Sequence, residues 1–587
     1  APGMPGRIYH FLRERRPEGL RLVQEFARDS EAVFLFLFSA FVGLIAGSGA
    51  VLFRWLVQVV NTVFFNGFGQ LLSPIAPYHV VLIPAAGGVL VAPLVFLVAR
   101  EARGHGVPEV MRAVAVSGGR IRARVAIAKP VASALTIGSG GSAGAEGPIV
   151  QIGASLGSII GRSFRLPKDK AKLLTAGGAA GGIAAIFNAP LAGIFFALEV
   201  ILGQYGPRHF ASVVLAAVTA TIVSRGLLGD APVFKTPAYQ LRSLWEVPQY
   251  FVFAFLAGLV SVVLVIVINK VEQLFEDWSA PNLVKPALGG LAVGLIGVFF
   301  PMVFGAGYNA TEMALHGKVL PLLALGLVAA KILATSITLG SGGSGGVFAP
   351  SLFTGAMLGT AFGSLTRALF PAVGIPPGAG ALVGMAAVFA GMAQAPVTAI
   401  LILFEMTGDY KIILALMITC VISTLIAREL LGASIYELAL KMRGFDITRL
   451  RRASDLMEKI RVGEAMVKDV ITARADDSVA ETFLKIEKTH HRGFPVVGGD
   501  RLVGIITRRD LLSVPPGDEK TTLVKDVMTA DLTVCYSREN LREALEKLGE
   551  ANVGRIPVVD EDDPERLVGL VTRKSIIEGY NRKVQTS

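Results

Sequence analysis

Apolar residues fill long stretches of the chain, at about residues 33–62, 79–99, 210–228, 248–269, 285–304, 319–339 and 380–431. Each is long enough to cross a hydrocarbon layer as a helix, and the last is long enough for two passages. Between them lie shorter apolar stretches cut by glycine and proline. Lipid forbids exposed, unpaired backbone, so these broken stretches must be buried in protein or line a cavity. Near residue 459 hydrophobicity drops, charge rises, and the spacing becomes that of short alternating strands and helices. The pattern predicts a mainly α, polytopic membrane part followed by a soluble α/β part.

Composition agrees: 52% of the 587 residues are hydrophobic and 17% charged, with a mean hydropathy of +0.59. The segment 1–32 carries Arg7, Arg13, Arg15, Arg16, Arg21 and Arg28 with no cleavable secretory pattern, which predicts a cytosolic N-terminus. Two crossings later, Arg100, Arg103, Arg112, Arg120, Arg122, Arg124 and Lys129 read as a second inward-facing loop. The formal charge of +11 therefore reads as orientation and attraction to anionic lipid. Basic residues are not grouped with aromatics, so no nucleic-acid partner is expected. Cys420 and Cys535, the only cysteines, make neither a disulfide framework nor a zinc cluster. With no nucleophile–base pair or metal-ligand cluster, an enzyme is not expected, and no cofactor is required.

Two duplications organise the chain. In the apolar region Lys129–Ser142 (KPVASALTIGSGGS) returns as Lys331–Ser344 (KILATSITLGSGGS) at an offset of 202. Gly104-His105-Gly106 is echoed by Gly305-Ala306-Gly307, and Ala189-Pro190 followed by Glu199 by Ala395-Pro396 followed by Glu405. Two halves, about 33–228 and 248–431, thus make up a transport region of 33–440. After a linker at 441–458, the soluble repeats cover 459–514 and 515–587. There VGEAM at 462–466 answers to VKDVM at 524–528, and LVGIITRRD at 502–510 to LVGLVTRKS at 567–575.

Three glycine-rich segments carry the chemistry: Gly104-His105-Gly106-Val107-Pro108-Glu109, Gly144-Ala145-Glu146-Gly147-Pro148, and Gly346-Val347-Phe348-Ala349-Pro350. Each puts glycine or proline where a helix would begin, leaving free N–H groups at the positive end of the helix dipole. Three such ends converging would hold a chloride-sized ion weakly enough to release it.

In their order these segments resemble the three signature motifs of the CLC family of chloride channels and proton-coupled chloride transporters, and the tail resembles a pair of CBS domains. The resemblance implies two inverted repeats in the membrane, a homodimer with one anion pathway per subunit, and transport of chloride and related small anions. Glu146 matches the family's gating glutamate; at a glycine-flanked helix start its carboxylate competes with chloride for the same donors, and protonation switches it. The amides of Gly147, Val347 and Phe348 match the family's backbone anion donors, and Tyr436 its inner-gate tyrosine. Three departures bear on mechanism. Val200 stands where proton-coupled members carry a second glutamate, and a valine binds no proton, which favours a gated channel over a chloride/proton antiporter. His105 replaces the anion-coordinating serine of the first segment, which predicts altered selectivity or pH dependence. Ala145 replaces a basic residue that often precedes the gate, with a modest electrostatic effect.

In paired CBS domains a groove often binds an adenine nucleotide through a Thr and an Asp three residues on. Thr507 and Asp510 fit this, as they fit a helix cap equally. Thr572 is present in the second repeat, but Ser575 stands where the Asp would be, so at most one complete site for ATP, ADP or AMP is expected. A plasma (inner) membrane location in a bacterium or archaeon, with both termini cytosolic, completes the expectation. A nucleotide-sensing receptor without transport is the remote alternative, and it has no need for anion-type helix starts.

Overall fold

The computed structural model describes residues 31–71, 79–241, 243–489 and 491–586, and divides into a unit ending at Ile447 and one beginning at Thr448. The cytosolic expectation for the first segment concerns residues outside those described for all but its last two positions.

The first half of the membrane unit runs through α1 (Glu31–Asn61), α2 (His79–Pro93), α3 (Val107–Val116), α4 (Val125–Gly138), α5 (Glu146–Ser163), α6 (Lys168–Phe187), α7 (Pro190–Phe196) and α8 (Pro207–Leu228). The second runs through α9 (Glu246–Asp277), α10 (Lys285–Phe299), α11 (Tyr308–Leu315), α12 (Pro321–Gly340), α13 (Phe348–Leu369), α14 (Pro377–Ala393), α15 (Pro396–Thr407) and α16 (Ile413–Leu431), followed by α17 (Ile435–Met442). Among the described residues, six helical segments are long and apolar enough to span a bilayer. The stretch 380–431, read as two passages, is three helices, because Gln394-Ala395-Pro396 interrupts it. Gln394 takes a left-handed φ of +52° and Pro396 then opens α15. Asn188 (φ +55°) and Pro190 do the same between α6 and α7.

Each half repeats the other's packing. A Cβ on Gly153 would lie 2.1 Å from the Gly178 carbonyl oxygen, and one on Gly355 would lie 2.1 Å from that of Gly384. Only glycine permits these backbone approaches of α5 to α6 and of α13 to α14. The contacts between halves are returned in kind. Ser142 N–H donates to Thr338 Oγ1 at 3.0 Å, and Ser344 N–H to Thr136 Oγ1 at 3.1 Å. Glu405 accepts from the amides of Leu191 (3.0 Å) and Ala192 (2.8 Å) at the start of α7. Glu199 accepts from the Thr398 amide (2.9 Å) and hydroxyl (2.6 Å) at the start of α15. Reciprocity of this kind is what an approximate two-fold axis between two inverted repeats produces.

Lys129 is corrected by the structure. It is fully buried inside α4, not part of an exposed basic loop, and its Nζ donates to the carbonyls of Ala102 (2.9 Å) and Gly104 (2.7 Å). Lys331 donates likewise to Val303 (2.9 Å) and Gly305 (2.7 Å). Each ammonium thus satisfies carbonyls of the irregular turn that precedes a helix start, which water cannot reach there.

Most of the expected linker is helical, with α18 (Ile447–Lys459) following α17. The soluble unit holds two small sheets of one design, in the orders β1-β2-β3 and β4-β5-β6. Strand β1 (Ala473–Arg474) pairs parallel with β2 (Gly493–Gly498), which pairs antiparallel with β3 (Arg501–Thr507). Likewise β4 (Cys535–Tyr536) pairs parallel with β5 (Arg555–Val559), and β5 antiparallel with β6 (Leu567–Thr572). The leading segments are exchanged: Val467 bonds to Leu570, and Thr529 to Ile505. Ile460, Val462 and Ala465 lie in the core built on β4, β5 and β6, whereas Val524 lies in the core built on β2 and β3. The two cores therefore do not follow the linear division at 514/515.

Candidate anion site

The starts of α3, α5 and α13 are tied together by main-chain hydrogen bonds between the turns that precede them. Gly104 N–H donates to Gly343 O (3.1 Å) and Gly345 N–H to Gly104 O (3.3 Å). Gly144 and Gly346 exchange N–H donors, at 2.8 and 2.7 Å. Glycine is needed where the turns cross: a Cβ on Gly147 would fall 1.9 Å from the His105 carbonyl oxygen.

The residues that flank these helices, Gly106, Ala145 and Val347, supply no side-chain cap. Among the described residues, the amides of Gly147, Val347 and Phe348 donate to no protein group. Uncapped amides at converging positive dipole ends are an anion-binding arrangement. The starts of α7 and α15, by contrast, are occupied by Glu405 and Glu199.

One narrow pocket is lined by His105, Glu146, Gly147, Val347, Phe348 and Tyr436, so every anion-site residue expected from the sequence meets there. Glu146 is 1% exposed. Its Oε1 accepts the Tyr308 hydroxyl at 3.1 Å, while Oε2 lies against Gly144 and Gly346 without a hydrogen bond of standard geometry. A Cβ on Gly144 would sit 1.9 Å from that oxygen, so the turn makes room for the carboxylate. His105 is buried, and among the described residues its Nδ1 has no hydrogen-bond partner. Tyr436 is placed by a capping box: Ser434 N–H donates to Glu437 Oε2 (3.0 Å) and Glu437 N–H to Ser434 Oγ (3.3 Å), which opens α17 and sets the tyrosine in its first turn. Its ring meets Phe196 edge-on, 6.5 Å between centroids.

Val200 is buried in a π-helical turn, Ala197–Leu202, directly after the Glu199 that caps α15. It does not line the cavity. Sequence reasoning missed Tyr308 and the apolar lining of Val107, Val150, Ile183 and Phe196. Tyr308 was recoverable: it follows the second Gly-x-Gly as Val107 follows the first.

In the soluble unit Thr507 and Asp510 are brought together as a helix cap. Thr507 donates to Asp510 Oδ2 through its amide (2.8 Å) and hydroxyl (2.7 Å). Thr572 and Ser575 do the same, with Thr572 N–H to Ser575 Oγ at 3.0 Å and Ser575 N–H to Thr572 Oγ1 at 3.1 Å.

Residues 87–428 match the family described as voltage gated chloride channel, and residues 462–517 and 524–582 match CBS domains. The chain is 33% identical over 452 residues to a protein of Yersinia pestis named H(+)/Cl(-) exchange transporter ClcA, covering 73% of this chain and 93% of that protein. It is 32% identical over 532 residues to Chloride channel protein CLC-f of Arabidopsis thaliana, covering 85% of this chain and 62% of that longer relative. The solved structure of a slow cyanobacterial Cl-/H+ antiporter superposes with a TM-score of 0.65 at 28% identity, over 70% of this chain and 97% of that one. The chain belongs to the voltage gated chloride channel (CLC) family of membrane chloride transporters, and carries two CBS domains after its membrane part.

Proposed function

We propose that the chain is a gated chloride channel in which the anion rests on the starts of α3, α5 and α13 and Glu146 opens or closes the way. The observation that carries this reading is the position of the Glu146 carboxylate beside the uncapped ends that an anion would use. A charged carboxylate there excludes chloride; a protonated or displaced one admits it. Gly147, Val347 and Phe348 give amide donors, Tyr436 a hydroxyl, and His105 a ring N–H that sets pH dependence or selectivity. Passive conduction is preferred over proton coupling because Val200 offers no carboxyl group at the position expected to relay protons. The working form is a homodimer in the plasma (inner) membrane with both termini cytosolic, and the CBS pair adjusts gating, with an adenine nucleotide at Thr507 and Asp510 and a partial site at Thr572.

A chloride/proton antiporter is the second reading, favoured by the names of the Yersinia relative and of the cyanobacterial structure. Chloride efflux from liposomes with simultaneous external pH recording separates them. The channel reading expects chloride movement with no uphill proton flux; protons driven uphill by a chloride gradient in the wild type overturn it. Titration of the full chain with ATP, ADP and AMP tests the nucleotide site, and no binding at millimolar concentration removes it.

A further inference from the structure

A second cavity, of about 520 Å³, opens between the end of α2 and the loop joining α9 to α10, within the membrane unit and apart from the anion site. Arg100, Arg103, Arg443 and Glu276 line it together with Phe96, Leu97 and Leu283. The guanidinium groups are unequally committed. Arg443 donates to Glu109 Oε1 at 3.0 Å. Arg103 Nη2 lies 3.3 Å from Glu276 Oε1, and its buried Nε has no hydrogen-bond partner among the described residues. Arg100 is exposed and, among the described residues, its guanidinium makes neither a hydrogen bond nor an ion pair. Glu272 faces Arg103 and Arg443 from α9, Arg112 shares Glu109, and the buried Lys129 lies close to Arg443 and Glu109, so cations outnumber acids around the cavity. Of the guanidinium groups that line it, that of Arg100 has no acid beside it among the described residues.

A surplus of positive charge, an orphaned N–H and room for a small group describe a receptor for an oxyanion. The rim decides which kind. Leu97, Val98, Leu283 and Val284 are all exposed beside the arginines, forming an apolar strip at the rim. A soluble phosphate has no use for that strip, whereas a lipid has a tail to lay on it.

We propose that this cavity binds the phosphodiester head group of an anionic phospholipid, with Arg100 and Arg103 on the phosphate and the acyl chains along Leu97, Val98, Leu283 and Val284. The bound head group abuts the turn that runs from Arg103 through Gly104, which is bonded to Gly343, into His105. Lipid composition therefore reaches the anion site through a short stretch of main chain.

The test is native mass spectrometry of the full chain in neutral detergent with added phosphatidylglycerol or phosphatidylcholine. The proposal expects phosphatidylglycerol to be retained over phosphatidylcholine. It expects Arg100→Gln to lower that retention about fivefold, and Arg120→Gln, an exposed arginine outside the cavity, to leave it unchanged. Inorganic phosphate at the same concentration should not displace the lipid. Arg100→Gln binding as the wild type does, or both variants falling together, overturns the site; displacement by inorganic phosphate overturns the lipid assignment. Arg100 is exposed and unpaired, so its substitution leaves the fold intact. None of these readouts needs transport, so failure here is separate from failure of the channel reading.

Discussion

Positions 146 and 348 occupy the same turn of the two membrane halves, at an offset of 202, yet the first half carries glutamate there and the second phenylalanine. The scaffold around them is shared. Lys129 and Lys331 anchor equivalent turns, and Glu199 and Glu405 cap each other's helices. What differs is the group set at the meeting point. Phe348 packs on Phe187 and Phe389, with centroids at 5.1 and 4.2 Å, whereas Glu146 projects toward Tyr308. Tyr308 in turn replaces the Val107 of the first half, and Ala306 replaces His105. A duplicated frame supplies paired helix starts, and divergence at a few positions leaves one acid where the two halves meet.

The comparison breaks most visibly if the halves are made alike. Phe348→Glu would remove a buried ring and add an unpaired carboxylate, a loss of more than about 4 kcal/mol. Size-exclusion chromatography should find no monodisperse protein; a folded, transporting variant would show that the position does not require an apolar group. Lys331→Met leaves the Val303 and Gly305 carbonyls without a donor, whereas after Lys129→Met Ala102 O still accepts from Ser344 Oγ (2.6 Å) and Gly104 O from Gly345 N–H (3.3 Å). In thermal unfolding Lys331→Met should destabilise by roughly 2–4 kcal/mol, and Lys129→Met by less. Equal losses would show that the donors kept by Ala102 and Gly104 do not soften the change.

Smaller changes sharpen the picture. Tyr308→Phe removes one hydrogen bond to the Glu146 carboxylate, about 1 kcal/mol, which shifts the chloride concentration for half-maximal efflux about fivefold. The shift should vanish in a Glu146→Gln background, and its persistence there would detach Tyr308 from the gate. The smallest effect lies in the CBS pair, where Ala473 of β1 answers to Cys535 of β4 at an offset of 62, both fully buried. Burial pushes the Cys535 thiol up to about 12 from an ordinary 9. Its folded-state value is raised, so the stability it contributes is intact below about pH 9 and is lost as pH rises toward 12. Iodoacetamide should leave Cys535 unmodified in the native chain near pH 8 and label it in denatured chain, as peptide mass spectrometry would read. Cys535→Ala, the first repeat's choice, should shift stability by less than about 1 kcal/mol.

Much of this was legible in the sequence because hydrophobic length, glycine-rich helix starts and internal repeats are local signals. Glu146, Gly147, Val347, Phe348, Tyr436 and His105 converge as the repeat and the motifs imply. Lys129 was misplaced because a lysine next to arginines reads as solvated; only the fold reveals two carbonyls waiting for it. The split of residues 380–431 was hidden because Pro396 opens a helix as readily as it ends one, and its apolar neighbours give no break in hydropathy. The exchanged segments of the CBS pair depend on long-range packing that neither periodicity nor spacing encodes.

The central claim is that an anion and the Glu146 carboxylate compete for one place at the starts of α5 and α13. Anomalous diffraction from crystals grown in bromide addresses it directly, with wild type and Glu146→Gln compared. The account predicts a bromide peak beside the Gly147 and Phe348 amides that gains occupancy where the carboxylate lay once the glutamine replaces it. No peak at those amides in either protein, or one that ignores the substitution, would contradict it.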